Sequence, residues 1–187
     1  MSTISRARRC RNESTNKLTV ARVIAVPFFI AAFMMKYYTI ALIIFCLASL
    51  TDMLDGKIAR ARGLVTNFGK IMDPLADKIL VYSALCLFIE DKIIAGWMLI
   101  IILCREFVVA GMRTVAAAEG RVLAAGMSGK IKTVLQMFAV IILILGLAVS
   151  AYPIIYKVGM IVFYASLFMT VYSGVEYVYK NRDIFSM

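Results

Sequence analysis

The sequence predicts an all-α integral membrane protein, built as a bundle of six transmembrane helices with an N-terminal interfacial helix. Two observations lead to this fold class. The chain has 187 residues, of which 63% are hydrophobic, and its mean hydropathy is +0.89, whereas soluble domains are only ~45–50% apolar. The apolar residues also gather into six runs. Because a spanning helix needs ~20 residues, this length suits one compact bundle without a second domain.

The first element is a basic stretch, residues 1–16. Ser5–Asn16 is too polar to span a membrane and too basic to be buried, so it is either a disordered arm or an interfacial helix, and we predict the helix. The apolar run that follows lacks a small-residue cleavage site, so we do not predict a signal peptide. Residues 17–180 are then the six-helix domain, and residues 181–187 are a cytoplasmic tail.

The six predicted transmembrane helices follow the apolar runs, which are Val23–Met35, Tyr37–Leu50, Ile79–Ile89, Ile93–Cys104, Val134–Ala151 and Ile154–Val175. The first four runs are too short to span a bilayer alone. We therefore expect each to continue as helix into a neighbouring charged stretch, with the polar halves facing one another around a wet cavity. Small residues in the last two runs predict close helix packing, either within the chain or at the seam of a homodimer: Gly146, Gly159, Ser166, Ser173 and Gly174.

The basic residues predict the orientation of the bundle. Of 21 Lys and Arg, only Lys36, Lys92 and Lys157 fall in the loops of one side. All the others precede the first helix, follow the last, or lie in the second or fourth connection. This asymmetry places both termini on the cytoplasmic side. The net charge of +10 then reflects topology and attraction to anionic lipid, and nucleic acid is disfavoured as a partner because no groove-reading motif is present.

Four carboxylates lie directly behind the second apolar run, at Asp52, Asp55, Asp73 and Asp77. An ionisable group at membrane depth costs roughly 2.5–3.5 kcal/mol or more, so it is expected to face a polar cavity. The first two acids are three residues apart and the last two are four apart, so each pair shares one face if its segment is helical. Two helices can then direct all four carboxylates to one point on the cytoplasmic side.

Four neighbouring carboxylates would repel one another unless a cation neutralised them, and all-oxygen ligand sets suit Mg²⁺ or Mn²⁺. The chain contains no His, which disfavours zinc and leaves a carboxylate, Lys, Tyr or Cys as the candidate general base. Gly56, Ala59 and Gly69 allow close approach of a ligand, and Arg60 suits a phosphate. The plainer alternative is that the acids pair with nearby Lys and Arg on solvated helix ends, but the regular small-plus-acid spacing favours a site.

The pattern Asp52-x-x-Asp55-Gly56-x-x-Ala59-Arg60, followed after eight residues by Gly69-x-x-x-Asp73-x-x-x-Asp77, resembles the complete signature of the CDP-alcohol phosphatidyltransferase family. Further stretches between residues 16 and 137 resemble the branch that makes phosphatidylglycerophosphate. The resemblance implies that a hydroxyl of an acceptor, sn-glycerol 3-phosphate in this branch, attacks CDP-diacylglycerol and releases CMP.

The resemblance also implies roles for the signature residues. Asp52, Asp55 and Asp73 are expected to hold two divalent metal ions on the diphosphate. Asp77 is expected to act as the base that takes the proton of the acceptor and to contact a metal ion. The donor nucleotide is expected to be bordered by the remaining signature positions together with the first aspartate: Asp52, Gly56, Ala59, Arg60 and Gly69.

Glycerol 3-phosphate carries a dianionic phosphate, so a second basic cluster is expected apart from the diphosphate site. Arg105 and Arg113 are eight residues apart, two helical turns on one face, and Lys130 and Lys132 open the next helix on the same side. We predict that Arg105, Arg113 and Lys130 clamp the acceptor phosphate; the alternative is that they extend toward lipid phosphates. Arg121 is predicted to be a surface charge. Glu106 either orients Arg105 or forms a plain ion pair with it.

Other functions fit less well. A divalent-metal transporter would place acids near the bilayer midplane with access from both faces, whereas these acids cluster with basic residues on one side. Within the enzyme class, the alternatives are sister transferases that use inositol phosphate or phosphatidylglycerol as the acceptor.

Overall fold

A computed structural model of the chain describes residues 23–61, 67–118, 120, 126–149 and 151–183, with the backbone alone for 52–61 and 67–77. Within these ranges the chain forms helices joined by turns, so the all-α prediction is confirmed. The six helices described are α1 Val23–Met34, α2 Tyr38–Ala61, α3 Asn67–Glu90, α4 Gly96–Ala118, α5 Met127–Ala148 and α6 Pro153–Lys180. The basic arm before residue 17 and the tail after residue 183 lie outside the described residues, so those predictions stay open.

The helices extend beyond the apolar runs, as the short runs required. Helix α2 continues past Leu50 to Ala61, and α3 begins at Asn67, well before its apolar run. Helix α4 likewise continues to Ala118. Each of these three helices has 23 or 24 residues, which corresponds to a length of about 35 Å at 1.5 Å per residue. The basic residues that these three helices contain are therefore not in loops: Lys57, Arg60, Lys70, Lys78, Arg105 and Arg113.

Two helices end in the same way, with a lysine in the left-handed region of backbone conformation. Lys36 after α1 has a φ of 61° and Lys92 after α3 has a φ of 58°. At each position the amide of the lysine donates to a carbonyl three residues back, Phe33 or Ile89, and the next amide donates to a carbonyl five residues back. This is the Schellman arrangement, which satisfies the last carbonyls of a helix. Each helix therefore ends just before a lysine that the sequence predicts to lie on the side with few positive charges.

The chain divides into two compact units, residues 1–87 and 88–187. In the first unit, aromatic rings join α1 to α2. The rings of Phe29 and Phe45 are both fully buried, and their centroids are 5.8 Å apart. The ring of Phe33 meets that of Tyr38 edge-on at 5.2 Å. These contacts hold α1 against the first half of α2.

In the second unit, α5 and α6 pack closely through glycines. A Cβ atom on Gly146 would lie 2.9 Å from the Cα of Tyr156, and one on Gly159 would lie 3.0 Å from a methyl group of Leu143. Leu143 of α5 thus meets Gly159 of α6, and Gly146 of α5 meets Tyr156 of α6. Because the residue number on α6 falls as that on α5 rises, the two helices are antiparallel. Close packing at these two glycines occurs within the chain, so neither of them argues for a homodimer seam.

Helices α5 and α6 are long and apolar enough to cross a membrane, with 22 and 28 residues. Much of their apolar surface is exposed in the structure, including Ile161, Phe168 and Val175, which follow one another at seven-residue intervals along α6 and are 65–71% exposed. Residues seven apart lie on one helical face. Helix α6 thus presents a continuous apolar stripe away from its own unit.

Candidate functional site

The four predicted acidic positions lie on helical backbone. Asp52 and Asp55 are in the second half of α2, and Asp73 and Asp77 are in the first half of α3. The prediction that both stretches are helical is confirmed, so each pair of positions shares one helical face. Gly56, Ala59 and Arg60 follow on α2, and Gly69 precedes the acids on α3. The convergence of the two pairs on one point stays a prediction, because these side chains lie outside those described.

The predicted donor set suits a hard divalent cation. Carboxylates at spacings of three and four on helical backbone offer only oxygen ligands, which Mg²⁺ and Mn²⁺ prefer. Among the side chains that the structure describes, no group of three or more His, Cys, Asp or Glu could hold a metal ion. The four aspartates are not among those side chains, so they remain the candidate ligands.

Several basic residues of the second unit lie where α4, the start of α5 and the end of α6 meet. Arg105 on α4 lies between two glycines. A Cβ atom on Gly129 would come within 3.1 Å of the guanidinium of Arg105, and one on Gly174 would come within 2.9 Å of its Cγ. Both glycines therefore leave room for this side chain, and we call the space between them the Arg105 slot.

The guanidinium of Arg105 belongs to a buried ionic cluster with Glu106 and Lys132, which we call the Glu106 triad. Oε1 of Glu106 accepts a hydrogen bond of 2.8 Å from Nη1 of Arg105 and one of 2.5 Å from Nζ of Lys132. The exposed fractions of these side chains are 13% for Arg105, 10% for Glu106 and 4% for Lys132. Nε of Arg105 is buried and has no hydrogen-bond partner among the described residues. One carboxylate thus faces two cations.

Arg113 reaches α6 two turns farther along α4. Its Nε donates a 3.2 Å hydrogen bond to the hydroxyl oxygen of Tyr177, and its guanidinium carbon lies 5.5 Å from the centroid of that ring. Tyr177 is buried in a cluster with Val109 and Met112, so its ring is a fixed support. Gly174 and Tyr177 are three residues apart on α6, and together they receive both arginines of α4.

The two lysines at the start of α5 differ. Lys130 is exposed, whereas Lys132 is 3% exposed as a whole residue. Residues two apart on a helix point about 200° apart, so only one of them can face the interior. Lys132 shares its face with Gly129 and with Gln136, a buried residue in an apolar run. The spacing of Lys132 and Gln136, two polar residues four apart in an apolar segment, was the sequence signal that Lys132 faces the interior. The prediction that Lys130 belongs to the clamp did not use this signal.

The structure therefore places Arg105 and Arg113 two turns apart on α4, each in contact with α6, and Lys130 is one residue along the chain from Gly129 of the Arg105 slot. Two partners of these arginines were not assigned from the sequence: Tyr177, which is distant along the chain, and Gly174, which was assigned to helix packing. Glu106 contacts Arg105, as both alternatives required, and it also contacts Lys132. Arg121 lies outside the described residues.

Comparisons with known proteins agree with the signature. The sequence model of the family described as CDP-alcohol phosphatidyltransferase matches residues 13–172. A protein of Bacillus subtilis named CDP-diacylglycerol–glycerol-3-phosphate 3-phosphatidyltransferase is 39% identical, over 90% of this chain and 94% of its own. Proteins of the same name are 38% identical in Rickettsia felis, over 87% of this chain and 91% of its own, and 33% identical in Sodalis glossinidius, over 90% and 94%.

Proposed function

Since the chain belongs to the CDP-alcohol phosphatidyltransferase family, we propose that it transfers the phosphatidyl group of CDP-diacylglycerol to sn-glycerol 3-phosphate, giving phosphatidylglycerophosphate and CMP. The observation that carries this proposal is the full set of signature positions on two helices. The relatives named for this reaction support the choice of acceptor, since they match nearly the whole chain.

The proposed reaction is a displacement at phosphorus. A hydroxyl oxygen of glycerol 3-phosphate forms a bond to the phosphorus that carries the diacylglycerol oxygen, and the diphosphate bond to CMP breaks. Asp77 accepts the proton that the hydroxyl loses, and CMP leaves with the electron pair of the broken bond. A carboxylate placed within hydrogen-bond reach of the attacking hydroxyl contributes about 10²–10⁴-fold to the rate.

In this proposal, Asp52, Asp55 and Asp73 hold two Mg²⁺ or Mn²⁺ ions, which Asp77 also contacts. When bound, divalent ions neutralise the negative charge that builds on a transferring phosphoryl group. The cytidine nucleotide is bordered by Gly56, Ala59 and Arg60 of α2, together with Asp52 and with Gly69 of α3. Small residues at these positions let the nucleotide approach the helix backbone.

Arg105, Arg113 and Lys130 bind the phosphate of the acceptor. The contacts of the second unit support this assignment, since α6 receives both arginines through Gly174 and Tyr177. Nε of Arg105 retains a donor without a described partner. Arginine presents several donors in a fixed plane, which suits the three oxygens of a phosphate.

We also propose that all six helices span the membrane, within a domain of residues 17–180, and that the termini and the active site face the cytoplasm. The exposed apolar stripe of α6 supports a lipid environment, because soluble monomers rarely expose so large a continuous apolar surface. Lys36 and Lys92 lie in the turns after α1 and α3, and Lys157 lies in the first turns of α6. These are the three lysines on the side with few positive charges.

The test is a CMP-release assay with purified protein, CDP-diacylglycerol and a panel of acceptors. The panel contains glycerol 3-phosphate, glycerol, inositol phosphate and phosphatidylglycerol. We expect release with glycerol 3-phosphate and very little with glycerol, which lacks the phosphate. Faster release with inositol phosphate or phosphatidylglycerol would assign the chain to a sister reaction.

A further inference from the structure

We propose that Gln136 binds an internal water molecule between α5 and α6, with the hydroxyl oxygen of Ser166 as the second protein ligand of that water. The site follows from contacts within the second unit and from no property of the proposed transfer reaction. Either proposal can therefore fail without the other.

The first step is the burial of Gln136. This residue is 4% exposed and lies in the middle of the apolar helix α5. Its amide nitrogen, Nε2, is buried and has no hydrogen-bond partner within the part of the chain that the structure describes. The large majority of buried side-chain polar atoms are hydrogen-bonded, either to the protein or to an ordered water. The amide nitrogen of Gln136 therefore requires an acceptor.

The second step places Ser166 opposite Gln136. Leu143 of α5 meets Gly159 of α6 in the antiparallel pair. Gln136 is seven residues before Leu143, so it lies two turns away on the face of α5 that meets α6. Ser166 is seven residues after Gly159, so it lies two turns away on the facing side of α6. In an antiparallel pair these two steps lead in the same direction, and the two residues reach the same level.

The two helices are still neighbours beyond this level. Gly129 on α5 and Gly174 on α6 both border the side chain of Arg105. Gly129 is seven residues before Gln136, and Gly174 is eight residues after Ser166. The level of the proposed site is thus bracketed by contacts on both sides. Ser166 is 1% exposed, as expected for a residue that faces α5.

The third step is the supply of acceptors on α6. The hydroxyl of Ser166 donates a 2.8 Å hydrogen bond to the carbonyl of Phe163, and the hydroxyl of Thr170 donates one of 2.7 Å to the carbonyl of Ser166. Each hydroxyl has thereby used its single proton, while its oxygen keeps a lone pair for an incoming donor. Thr170 is also 1% exposed and lies one turn farther along α6.

A water molecule satisfies these groups together. It accepts a hydrogen bond from Nε2 of Gln136 and donates one to Oγ of Ser166, and the hydroxyl oxygen of Thr170 is a further acceptor on the same face. A buried water typically makes about three hydrogen bonds to groups of this kind. Because all three side chains are almost fully buried, a ligand the size of a substrate has no access to this position.

The alternative is a direct hydrogen bond from Nε2 of Gln136 to Oγ of Ser166, which would leave no place for a water. The two arrangements differ in a measurable way. A bound water adds a density peak between the two side chains and places its protons next to the amide of Gln136, whereas a direct bond does neither.

The first experiment is a structure of the full-length wild-type protein in lipid, at a resolution that shows ordered water. We expect a density peak between α5 and α6 that lies within about 2.5–3.2 Å of both Nε2 of Gln136 and Oγ of Ser166. If no peak lies there, whether or not the two side chains bond directly, the proposal is wrong.

The second experiment detects the water by NMR of the full-length protein in lipid. Gln136 is the only glutamine in the sequence, so labelling glutamine with ¹⁵N at Nε2 gives a single side-chain amide signal. We expect a nuclear Overhauser cross peak from water to this amide. Ser166→Ala removes one acceptor, and the cross peak should weaken severalfold, the scale of one lost neutral hydrogen bond.

The control is Thr133→Val, which removes a hydroxyl on the exposed side of α5. Thr133 is three residues before Gln136, and its hydroxyl donates a 3.1 Å hydrogen bond within its own helix, to the carbonyl of Gly129. This variant should leave the cross peak unchanged. Equal weakening in both variants, or no weakening in Ser166→Ala, would contradict the site.

The two experiments support each other. A cross peak relayed by the hydroxyl of Ser166 without a bound water would also weaken in Ser166→Ala, but no density peak would then appear in the wild-type structure. If Ser166→Ala does not accumulate as folded protein, the wild-type density decides alone.

Discussion

The acid-bearing helices α2 and α3 and the cation-bearing end of α4, α5 and α6 carry charge in opposite ways. Along α2 and α3, the acids recur at intervals of three and four residues within two continuous segments. The cations come from three helices, and each is fixed by a residue distant in sequence: Arg105 by Gly174, Arg113 by Tyr177, and Lys132 by Glu106. In the first region, the charged residues follow a short repeated spacing along the chain. In the second region, they come from segments that are distant in sequence and meet in the folded chain.

The difference matches the roles that we propose for the two regions. Acids that hold metal ions have their charge balanced by the ions, so the chain needs only to present them on one face. Cations that bind an anionic substrate need side chains held in place by contacts within the chain, and the second unit provides such contacts at Gly174 and Tyr177.

The largest expected effect tests the acid region. Chelation of divalent ions with excess EDTA should abolish CMP release, because uncompensated carboxylates beside a diphosphate would repel it. Addition of Mg²⁺ or Mn²⁺ in excess of the chelator should restore the activity, and addition of Ca²⁺ shows whether the site requires the smaller ion. Full activity in EDTA would contradict the metal role of Asp52, Asp55 and Asp73.

The next effect separates the base from the metal ligands. Asp77→Asn should lower kcat by about 10²–10⁴-fold, since loss of a general base acts on the transition state. Binding of CDP-diacylglycerol, measured by calorimetry, should stay close to that of the wild type.

The matched control for Asp77→Asn is Asp91→Asn, in the exposed turn after α3. It makes the same chemical change outside the signature and should leave kcat within about twofold. A native kcat in Asp77→Asn would remove the base assignment, and a loss of donor binding would make Asp77 chiefly a metal ligand.

The two regions also differ in how far the sequence predicts them. The helical state of the acid segments follows from apolar runs too short to span alone, and the structure confirms it at Ala61 and Asn67, where α2 ends and α3 begins. The choice between Lys130 and Lys132 depends on which face of α5 turns inward. That face is set by packing against other helices. In the sequence, Gln136 indicates it, because it is a polar residue within an apolar run, four residues after Lys132.

The partners of the arginines lie beyond local patterns. Tyr177 and Gly174 are more than sixty residues from the arginines they receive, and no spacing rule connects them. Glycines in an apolar helix predict close packing of backbones, which is correct for Gly146 and Gly159. At Gly174 the group that approaches is a charged side chain, which only the three-dimensional arrangement reveals.

A smaller effect tests the arginine on Tyr177. Arg113→Ala should raise the KM for glycerol 3-phosphate about ten- to a hundredfold, because charge-assisted hydrogen bonds are worth roughly 1.5–3 kcal/mol and 1.4 kcal/mol is a factor of ten. The KM for CDP-diacylglycerol should stay constant. Arg113→Lys should recover part of the loss, since an ammonium group cannot form a bidentate contact.

Arg182 provides the matched control for Arg113. Its guanidinium carbon also stacks on a tyrosine of α6, 5.3 Å from the ring centroid of Tyr179, but it is exposed after the helix has ended. Arg182→Ala should leave both KM values unchanged. Equal effects of the two variants would mean that Arg113, like Arg182, serves as a surface charge near lipid.

The smallest effect concerns the Arg105 slot and requires no change of charge. In Gly174→Ala, the added methyl group would lie 2.9 Å from Cγ of Arg105, in the middle of the side chain, so the stem must rotate and carry the guanidinium away from Oε1 of Glu106. A partial loss of one hydrogen bond, about 1 kcal/mol, corresponds to a rise of roughly fivefold in the acceptor KM. Gly111→Ala on α4 is the control, because a Cβ there meets nothing within 4 Å; it should leave the acceptor KM unchanged while stabilising the helix by about 0.5–1 kcal/mol. If Gly174→Ala instead behaves like Gly111→Ala, the position of Arg105 in the slot is not what sets acceptor binding, and the cation region would depend on its net charge alone.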